Sequence, residues 1–435
     1  MLKTSAHRWR FGALAFGLLI PGQLLAQSNT PVLEDFRDQN IRFKRDGLIS
    51  VLDRPQPLYD PVPYRIGSVE VMPRISADAT YNSNIYAIDD ATDDLIFRVR
   101  PQLSANTVAG DFALSGAAAL DHREYLDNGN QSSTDFTLGF NARYEPGRDT
   151  QVYIGTRSGR ETQDRADPDF PFNLQQAIQF DFASAYVGAS RSFNRLRIAG
   201  RLGAEKRDYE DGRDALGAVI DQDFRNRTLY TADLAAEYGI SPKTSAYINL
   251  SLNKRNFPAP VIGGKERDSK GFEITAGTSF ELSKLIRGEV GLGYFKQDFK
   301  SNEFRAAKGL AANARLEYLM TPLVTWTLTA GRSVQESSTL GTGVYVATTA
   351  GLRADYELRR NLIVSAGINY EHDKFEDIDR KYGIWGGSAS ATYKLSPRYA
   401  LRAQYDYRDQ STSGAVPGRE FARHRLMLGI TVQGM

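Results

Sequence analysis

Two histidines in this chain stand directly beside an aspartate, the combination that a general base and its orienting carboxylate require. They are His122, which follows Asp121, and His372, which precedes Asp373. Neither pair is accompanied by a Gly-x-Ser-x-Gly nucleophile elbow. Both pairs lie in strand-like runs, where adjacent side chains point to opposite faces and cannot easily hydrogen-bond to each other. We therefore expect no catalytic residues and no enzymatic activity.

A short acidic run, Asp89, Asp90, Asp93 and Asp94, offers the carboxylate oxygens that Ca²⁺ prefers. The run lacks the regular ligand spacing around a turn-forming glycine that a calcium-binding loop shows. We interpret it as a solvated surface loop. The chain contains no cysteine, which rules out disulfides and thiolate metal ligands. The sequence thus predicts no metal site and no cofactor.

Charged residues in the polar register of the strand-like runs fall into two groups. The first group is basic and lies on runs near both ends of the chain, which become neighbours if the strands close into a ring. The second group is acidic and lies on runs further along. Opposed walls would create a transverse field across a pore, whereas local pairing would only fill the lumen. The predicted basic wall is Arg74, Arg98, Arg100, Arg402, Arg408 and Arg425, and the predicted acidic wall is Asp233, Glu273, Glu289, Asp355 and Glu371.

A tight turn that recurs in the second half of the chain indicates the β-strands that carry these residues. In each repeat an aromatic residue stands three positions before the last residue of the run. The ends of the runs are 42, 38, 38 and 37 residues apart, which corresponds to one long β-hairpin per repeat. Aromatic rings favour the boundary between lipid headgroups and acyl chains. The five runs are Tyr238–Ser241, Phe280–Ser283, Tyr318–Thr321, Tyr356–Arg359 and Tyr393–Ser396.

Strand length distinguishes a membrane barrel from a water-soluble sandwich. The alternating runs keep their register for 11 to 16 residues, whereas strands of soluble proteins are typically about 5–6 residues long. A strand that crosses a membrane needs about 9–11 residues. Short and long connections also alternate, which is the rule for outer-membrane barrels. We predict an all-β fold, a transmembrane antiparallel β-barrel of about 18 strands.

The N-terminus resembles a cleavable secretory signal, because Lys3, Arg8 and Arg10 precede a short apolar stretch and a small-residue site ending at Ala26. We predict a signal peptide over 1–26, a periplasmic extension over 27–68 and the outer-membrane barrel over 69–435. Cleavage would take the net charge from +2 to −1. A nearly neutral chain argues against nucleic acid as a partner.

Two neighbouring stretches, Ala391–Ala400 and Leu401–Arg408, resemble the outer-membrane β-barrel porins encoded beside exopolysaccharide and capsular polysaccharide gene clusters. The resemblance covers about residues 69–435 and rests on a turn pattern. It implies a passive conduit in the Gram-negative outer membrane that exports a secreted polysaccharide, together with a periplasmic polysaccharide-export lipoprotein. A general or sugar-selective uptake porin needs the same barrel, and a structural or adhesive barrel is a third alternative. The sequence also leaves open whether residues 27–68 plug the lumen or bind a partner.

On four consecutive runs, the series of apolar residues that faces outward has a lysine at the end next to the long loop. A cation near the membrane interface costs only about 0–1 kcal/mol, and it gains stability if a phosphate is within reach. Simple snorkelling at strand ends does not require lysines to gather on consecutive strands. We therefore predict that they bind lipopolysaccharide. The four are Lys254, Lys270, Lys296 and Lys308.

Overall fold

The computed structural model of the protein describes residues 49–107, 110–171, 174–214, 216–260, 266–339 and 341–434. The predicted signal peptide and the first part of the predicted extension, residues 27–48, lie outside the described residues. Among the described residues, no helix is long and apolar enough to cross a membrane.

Eighteen long antiparallel strands form a closed barrel, which confirms the predicted fold class. Each strand pairs with its neighbours in the chain, and β1 pairs with β18 from Arg74–Gln433 to Asn82–Arg425, which closes the ring. The strands are β1 Val69–Asn82, β2 Asp94–Thr107, β3 Phe112–Tyr125, β4 Ser133–Gly147, β5 Thr150–Thr162, β6 Gln179–Phe193, β7 Leu196–Tyr209, β8 Arg227–Ser241, β9 Thr244–Asn256, β10 Ser269–Glu281, β11 Ile286–Phe299, β12 Ala307–Thr321, β13 Val324–Glu336, β14 Val344–Arg359, β15 Leu362–Phe375, β16 Lys381–Lys394, β17 Tyr399–Ser413 and β18 Phe421–Gln433.

The two faces of the barrel wall differ in polarity as the alternation in the sequence predicts. In β8, for example, Tyr230, Leu234 and Tyr238 are exposed on the outer face, while Asp233 and Glu237 are buried on the inner face. Four of the aromatics that precede the short turns are exposed on the outer face. They are Tyr238, Tyr318, Tyr356 and Tyr393. The apolar outer face matches lipid and the polar inner face encloses the lumen.

Three short strands and two single-turn 3-10 helices, Gly129–Gln131 and Asp223–Arg225, were not predicted. Strand Tyr64–Ile66 folds back on the start of β1, and the turn between them uses Gly67 at a φ of +60°, a conformation that glycine adopts at no steric cost. A two-stranded hairpin, Gly212–Arg213 with Val219–Ile220, lies in the loop between β7 and β8. Runs of two or three residues are too short for an alternation pattern to be recognised in the sequence.

The upper part of the β13–β14 hairpin leans into the lumen. The ladder between β12 and β13 runs from the periplasmic turn only as far as the pair Ala312–Arg332. Above that pair, Val346 on the outer register of β14 packs against Phe295 and Ala311, which lie on the inner register of β11 and β12. The tip of this hairpin is therefore inside the barrel rather than in its wall.

Tyrosines on the inner face lie flat across glycines of neighbouring strands. Tyr247 on β9 stands directly opposite Gly277 on β10, and Gly277 stands opposite Gly291 on β11. The ring is only 6 % exposed, and its hydroxyl accepts a hydrogen bond of 3.3 Å from Asn313 on β12. The missing side chains of the two glycines make room for the ring, so one tyrosine joins four strands.

We expect Gly277→Ala to destabilise the barrel, because a Cβ there would clash with the Val290 carbonyl oxygen and the Tyr247 ring. Overpacking of this kind costs about 1–3 kcal/mol. The loss of stability is measured as a lower temperature at which the folded barrel changes its migration on gels. Gly116→Ala is the control, since its Cβ would have no neighbour closer than 3.8 Å. Equal stability of the two variants would show that the flat tyrosine does not constrain the wall.

Candidate functional site

All residues of the two predicted walls lie on strand faces that point into the lumen. The six arginines lie on β1, β2, β17 and β18, which are adjacent in the closed barrel. The five acids lie on β8, β10, β11, β14 and β15. Arg408 and Glu371, which come from different predicted walls, are both buried and interact electrostatically. The two groups therefore meet on the extracellular side of the lumen.

Several of the arginines in the basic wall have acidic partners of their own. Arg98 makes a bidentate ion pair with Asp121 on β3. Arg100 lies 2.7 Å from Asp78 on β1. The third pair, Arg425 with Asp406, is longer at 3.7 Å. These pairs neutralise part of the charge locally.

Residues of the acidic wall are held in a similar way. Asp233 accepts a hydrogen bond of 2.8 Å from the Ser251 hydroxyl. Glu289 accepts one of 3.2 Å from the Asn313 side chain. Asp355 accepts a 2.5 Å bond from the Ser365 hydroxyl. These bonds hold the carboxylates against the barrel wall, so a transverse field across the lumen stays a prediction.

Three arginines in the periplasmic half of the lumen are far more exposed than the acids that they contact. The Arg315 side chain is 51 % exposed, while Glu317, 2.9 Å away, is 9 % exposed. Arg353 is 38 % exposed, while Asp355, 2.8 Å away, is 4 % exposed. A guanidinium on a long stem reaches into the water, whereas a carboxylate stays near the wall. Arg287 shares this geometry, whereas Arg143 and Arg157 are half-buried, and each is about as exposed as its acidic partner.

The structure separates the members of both His–Asp pairs. Asp121 faces the lumen, while His122 faces outward and lies 2.8 Å from the Thr134 hydroxyl. Asp373 is buried on the inner face of β15, and His372 is on the outer face. Neither pair converges on a common site.

The predicted acidic loop has a structural role at one of its positions. The carboxylate of Asp94 accepts backbone hydrogen bonds from Leu95 and Asn128, at 2.7 and 2.9 Å, and so connects two extracellular loops. Asp89, Asp90 and Asp93 are exposed. Sequence analysis missed a different cluster, in which three exposed carboxylates of the β7–β8 loop lie within 4.8 Å of one another. They are Asp211, Asp221 and Asp223.

Residues 163–171 of the β5–β6 loop, which we call the lid, cross the extracellular mouth of the lumen. At one end Asp164 forms a 3.0 Å ion pair with Arg423 on β18. The guanidinium of Arg419, in the β17–β18 loop, donates to the carbonyl oxygens of Arg165 and Asp167. Arg165 itself is buried and donates to the side-chain oxygen of Gln131 at 2.7 Å.

The other end of the lid contacts the hairpin tip that leans into the lumen. Ser338, between β13 and β14, donates its hydroxyl to the Asp169 carbonyl oxygen at 2.7 Å and its backbone N–H to the Asp169 carboxylate. Arg225, from the β7–β8 loop, lies 3.8 Å from the same carboxylate. The lid thus links opposite sides of the mouth through polar contacts.

The periplasmic mouth is covered in part by residues 49–63, which we call the periplasmic segment. The Val51 N–H donates to the Thr325 hydroxyl at 3.1 Å, and Arg54 forms an ion pair with Glu357 inside the lumen. Further along, Asp60 lies 2.7 Å from Lys394 on β16. The described part of the extension therefore lies against the inner rim of the barrel.

A closed barrel with an apolar outer face, aromatics near the short turns and a polar lumen defines an outer-membrane β-barrel protein. The chain belongs to the family described as "Putative beta-barrel porin 2", whose model matches residues 56–434. No curated protein matches the chain.

Several solved barrels from Pseudomonas aeruginosa are similar in fold. A mutant of the ferric enterobactin receptor PfeA aligns with a TM-score of 0.47 at 8 % identity, over 83 % of this chain and 80 % of that one. The protein OccK1, also called OpdK, aligns with a TM-score of 0.45 at 11 % identity, over 83 % of this chain and 98 % of that one.

We expect the lid to close more tightly in acid. Burial raises the pKa of Asp169 to about 6, in spite of the nearby Arg225. An open lid would expose the carboxyl and return its pKa to about 4. Because the closed form binds the proton more tightly, falling pH favours closure, and the effect develops as pH drops through 6.

Conductance in planar bilayers measures this effect. The wild type should lose conductance between pH 8 and pH 5, whereas Asp169→Asn should conduct weakly at every pH, because the neutral amide imitates the protonated carboxyl. A variant that keeps the wild-type pH dependence would show that Asp169 is not the titrating group.

Proposed function

We propose that this protein is a gated, passive conduit through which a secreted acidic polysaccharide crosses the outer membrane. The observation that carries the proposal is the difference in exposure between three lumen arginines, Arg287, Arg315 and Arg353, and their acidic partners. Arg315 and Arg353 extend into the water while Glu317 and Asp355 stay against the wall. A solute in the lumen would therefore meet guanidinium groups first.

Exposed guanidinium groups suit a polymer that bears carboxylates at intervals. A single exposed ion pair contributes only about 0.2–1 kcal/mol, so each contact forms and breaks readily. Many such contacts along a chain attract the polymer without trapping it, as conduction requires. A passive lumen has no direction, so net export would follow from the supply of polymer in the periplasm.

Polar closures at both mouths support a gated conduit. The lid is held by hydrogen bonds and ion pairs, including Ser338 to Asp169 and Arg423 to Asp164. Such contacts can be exchanged for water at a small net cost. The periplasmic segment forms a turn in which the Asp60 N–H donates to the Gln56 carbonyl oxygen, and polar contacts such as Asp60 with Lys394 hold it to the barrel. We propose that a periplasmic polysaccharide-export lipoprotein displaces it.

Replacing Arg315 and Arg353 together with Gln should weaken the preference of the lumen for acidic chains. Glu317 keeps Arg287 and Asp355 keeps the Ser365 hydroxyl, so neither acid loses every partner. In planar bilayers at pH 8, oligogalacturonate should block the current of the wild type more strongly than a neutral maltodextrin of equal length. In the double variant the ratio between the two blocking affinities should fall roughly two- to thirtyfold, since each of the two exposed ion pairs contributes about 0.2–1 kcal/mol.

The matched control is Arg191→Gln, which removes one positive charge from the outer face of β6. It should behave like the wild type. Equal block by acidic and neutral chains in the wild type would contradict the choice of an acidic polymer, and a barrel that never conducts would contradict the conduit itself.

A further inference from the structure

Four lysines on the outer face of the barrel, which we call the lysine patch, face one another in pairs. Lys254 on β9 stands directly opposite Lys270 on β10. Lys296 on β11 stands directly opposite Lys308 on β12. All four lie close to the extracellular ends of their strands. Four consecutive strands thus carry two like-charged cross-strand pairs at nearly the same height.

This arrangement is unfavourable unless an anion is present, because like charges directly opposite each other destabilise a sheet. One acid lies within the patch, since Asp298 forms a 2.7 Å ion pair with Lys296 and stands directly opposite Lys270. Across the part of the chain that the structure describes, no ion pair involves Lys254, Lys270 or Lys308. The patch therefore keeps a surplus of positive charge on an exposed face.

Two other lysines at the extracellular rim have acidic neighbours. Lys206 lies 3.2 Å from Asp208, and Lys374, which stands directly opposite Lys381, lies 3.6 Å from Glu376. Local pairing of this kind is what snorkelling lysines need when no external anion is present. In the lysine patch, Lys254, Lys270 and Lys308 lie on adjacent strands and form no ion pair with a described residue. Snorkelling alone does not explain this clustering.

An exposed apolar surface begins directly below the patch. Phe272 on β10 is the cross-strand neighbour of Lys296, and its ring lies 6.2 Å from that of Tyr294. Leu252 and Leu310 are exposed on the flanking strands. A ligand of this surface would therefore carry anionic groups above and acyl chains beneath them.

We propose that the lysine patch binds a phosphorylated glycolipid of the outer leaflet, namely lipopolysaccharide. Its phosphates lie between the opposed lysines, where they relieve the repulsion within each pair and accept charge-assisted hydrogen bonds. Its acyl chains lie against Phe272, Tyr294 and the flanking leucines. The site is on the outside of the barrel and does not depend on what passes through the lumen.

The test compares delipidated wild type with Lys254→Gln/Lys270→Gln/Lys296→Gln/Lys308→Gln in detergent. The probes are lipopolysaccharide, the same lipid with its phosphates removed, and inorganic phosphate. Native mass spectrometry counts bound lipid, and thermal unfolding reports the stabilisation. A lysine near an anionic headgroup contributes about fivefold in affinity, so the quadruple variant should bind lipopolysaccharide at least roughly tenfold more weakly. The matched control, Lys206→Gln, removes a rim lysine that has an acidic partner and no lysine opposite it, and should bind like the wild type.

Weaker binding by the quadruple variant, together with no stabilisation by the dephosphorylated lipid or by inorganic phosphate, supports the proposal. Equal stabilisation of wild type and quadruple variant would show that the lysines are only rim charges. Stabilisation by inorganic phosphate alone would replace the lipid by a simple anion. If the quadruple variant does not fold, Lys254→Gln/Lys270→Gln removes one opposed pair, and unchanged binding by it would also overturn the proposal.

Discussion

The pairing between β1 and β18 is the interaction on which the rest of this structure depends. Within a membrane no water is available to the backbone, so every N–H and C=O must find a partner in the protein. A sheet meets this demand only when its edges join. Nine cross-strand pairs, from Arg74–Gln433 to Asn82–Arg425, join them here. Closure also brings the arginines near the two ends of the chain onto one side of the lumen.

Once the barrel is closed, side-chain length decides what the lumen presents to a solute. At Arg287, Arg315 and Arg353 on the inner face, the guanidinium extends past its acidic partner. Arg315 with Glu317 and Arg353 with Asp355 are the clearest cases. Charge counting alone would describe these stretches as neutral. Their water-accessible surface is nevertheless basic, and this property underlies the proposed preference for an acidic polymer.

Strand number, pairing and the orientation of side chains were accessible from the sequence because a period of two is maintained over long runs. Arg402 and Glu289 could be placed on the inner face for that reason. The lid could not be predicted, since Asp169 and Ser338 are far apart in the chain and lie in loops without periodicity. The inward lean of the β13–β14 tip also escaped prediction, because Val334 and Val346 continue the outer register while packing on the inner face of β11 and β12.

The central claim is that an aqueous lumen runs through the barrel and that the lid closes it. The chain has no cysteine, so Asp169→Cys/Ser338→Cys introduces a single possible disulfide between lid and hairpin tip. Conductance in planar bilayers at pH 8 should be low after oxidation and return on reduction, while each single variant should be insensitive to both treatments. Conductance that is the same in the cross-linked and reduced protein would contradict the account.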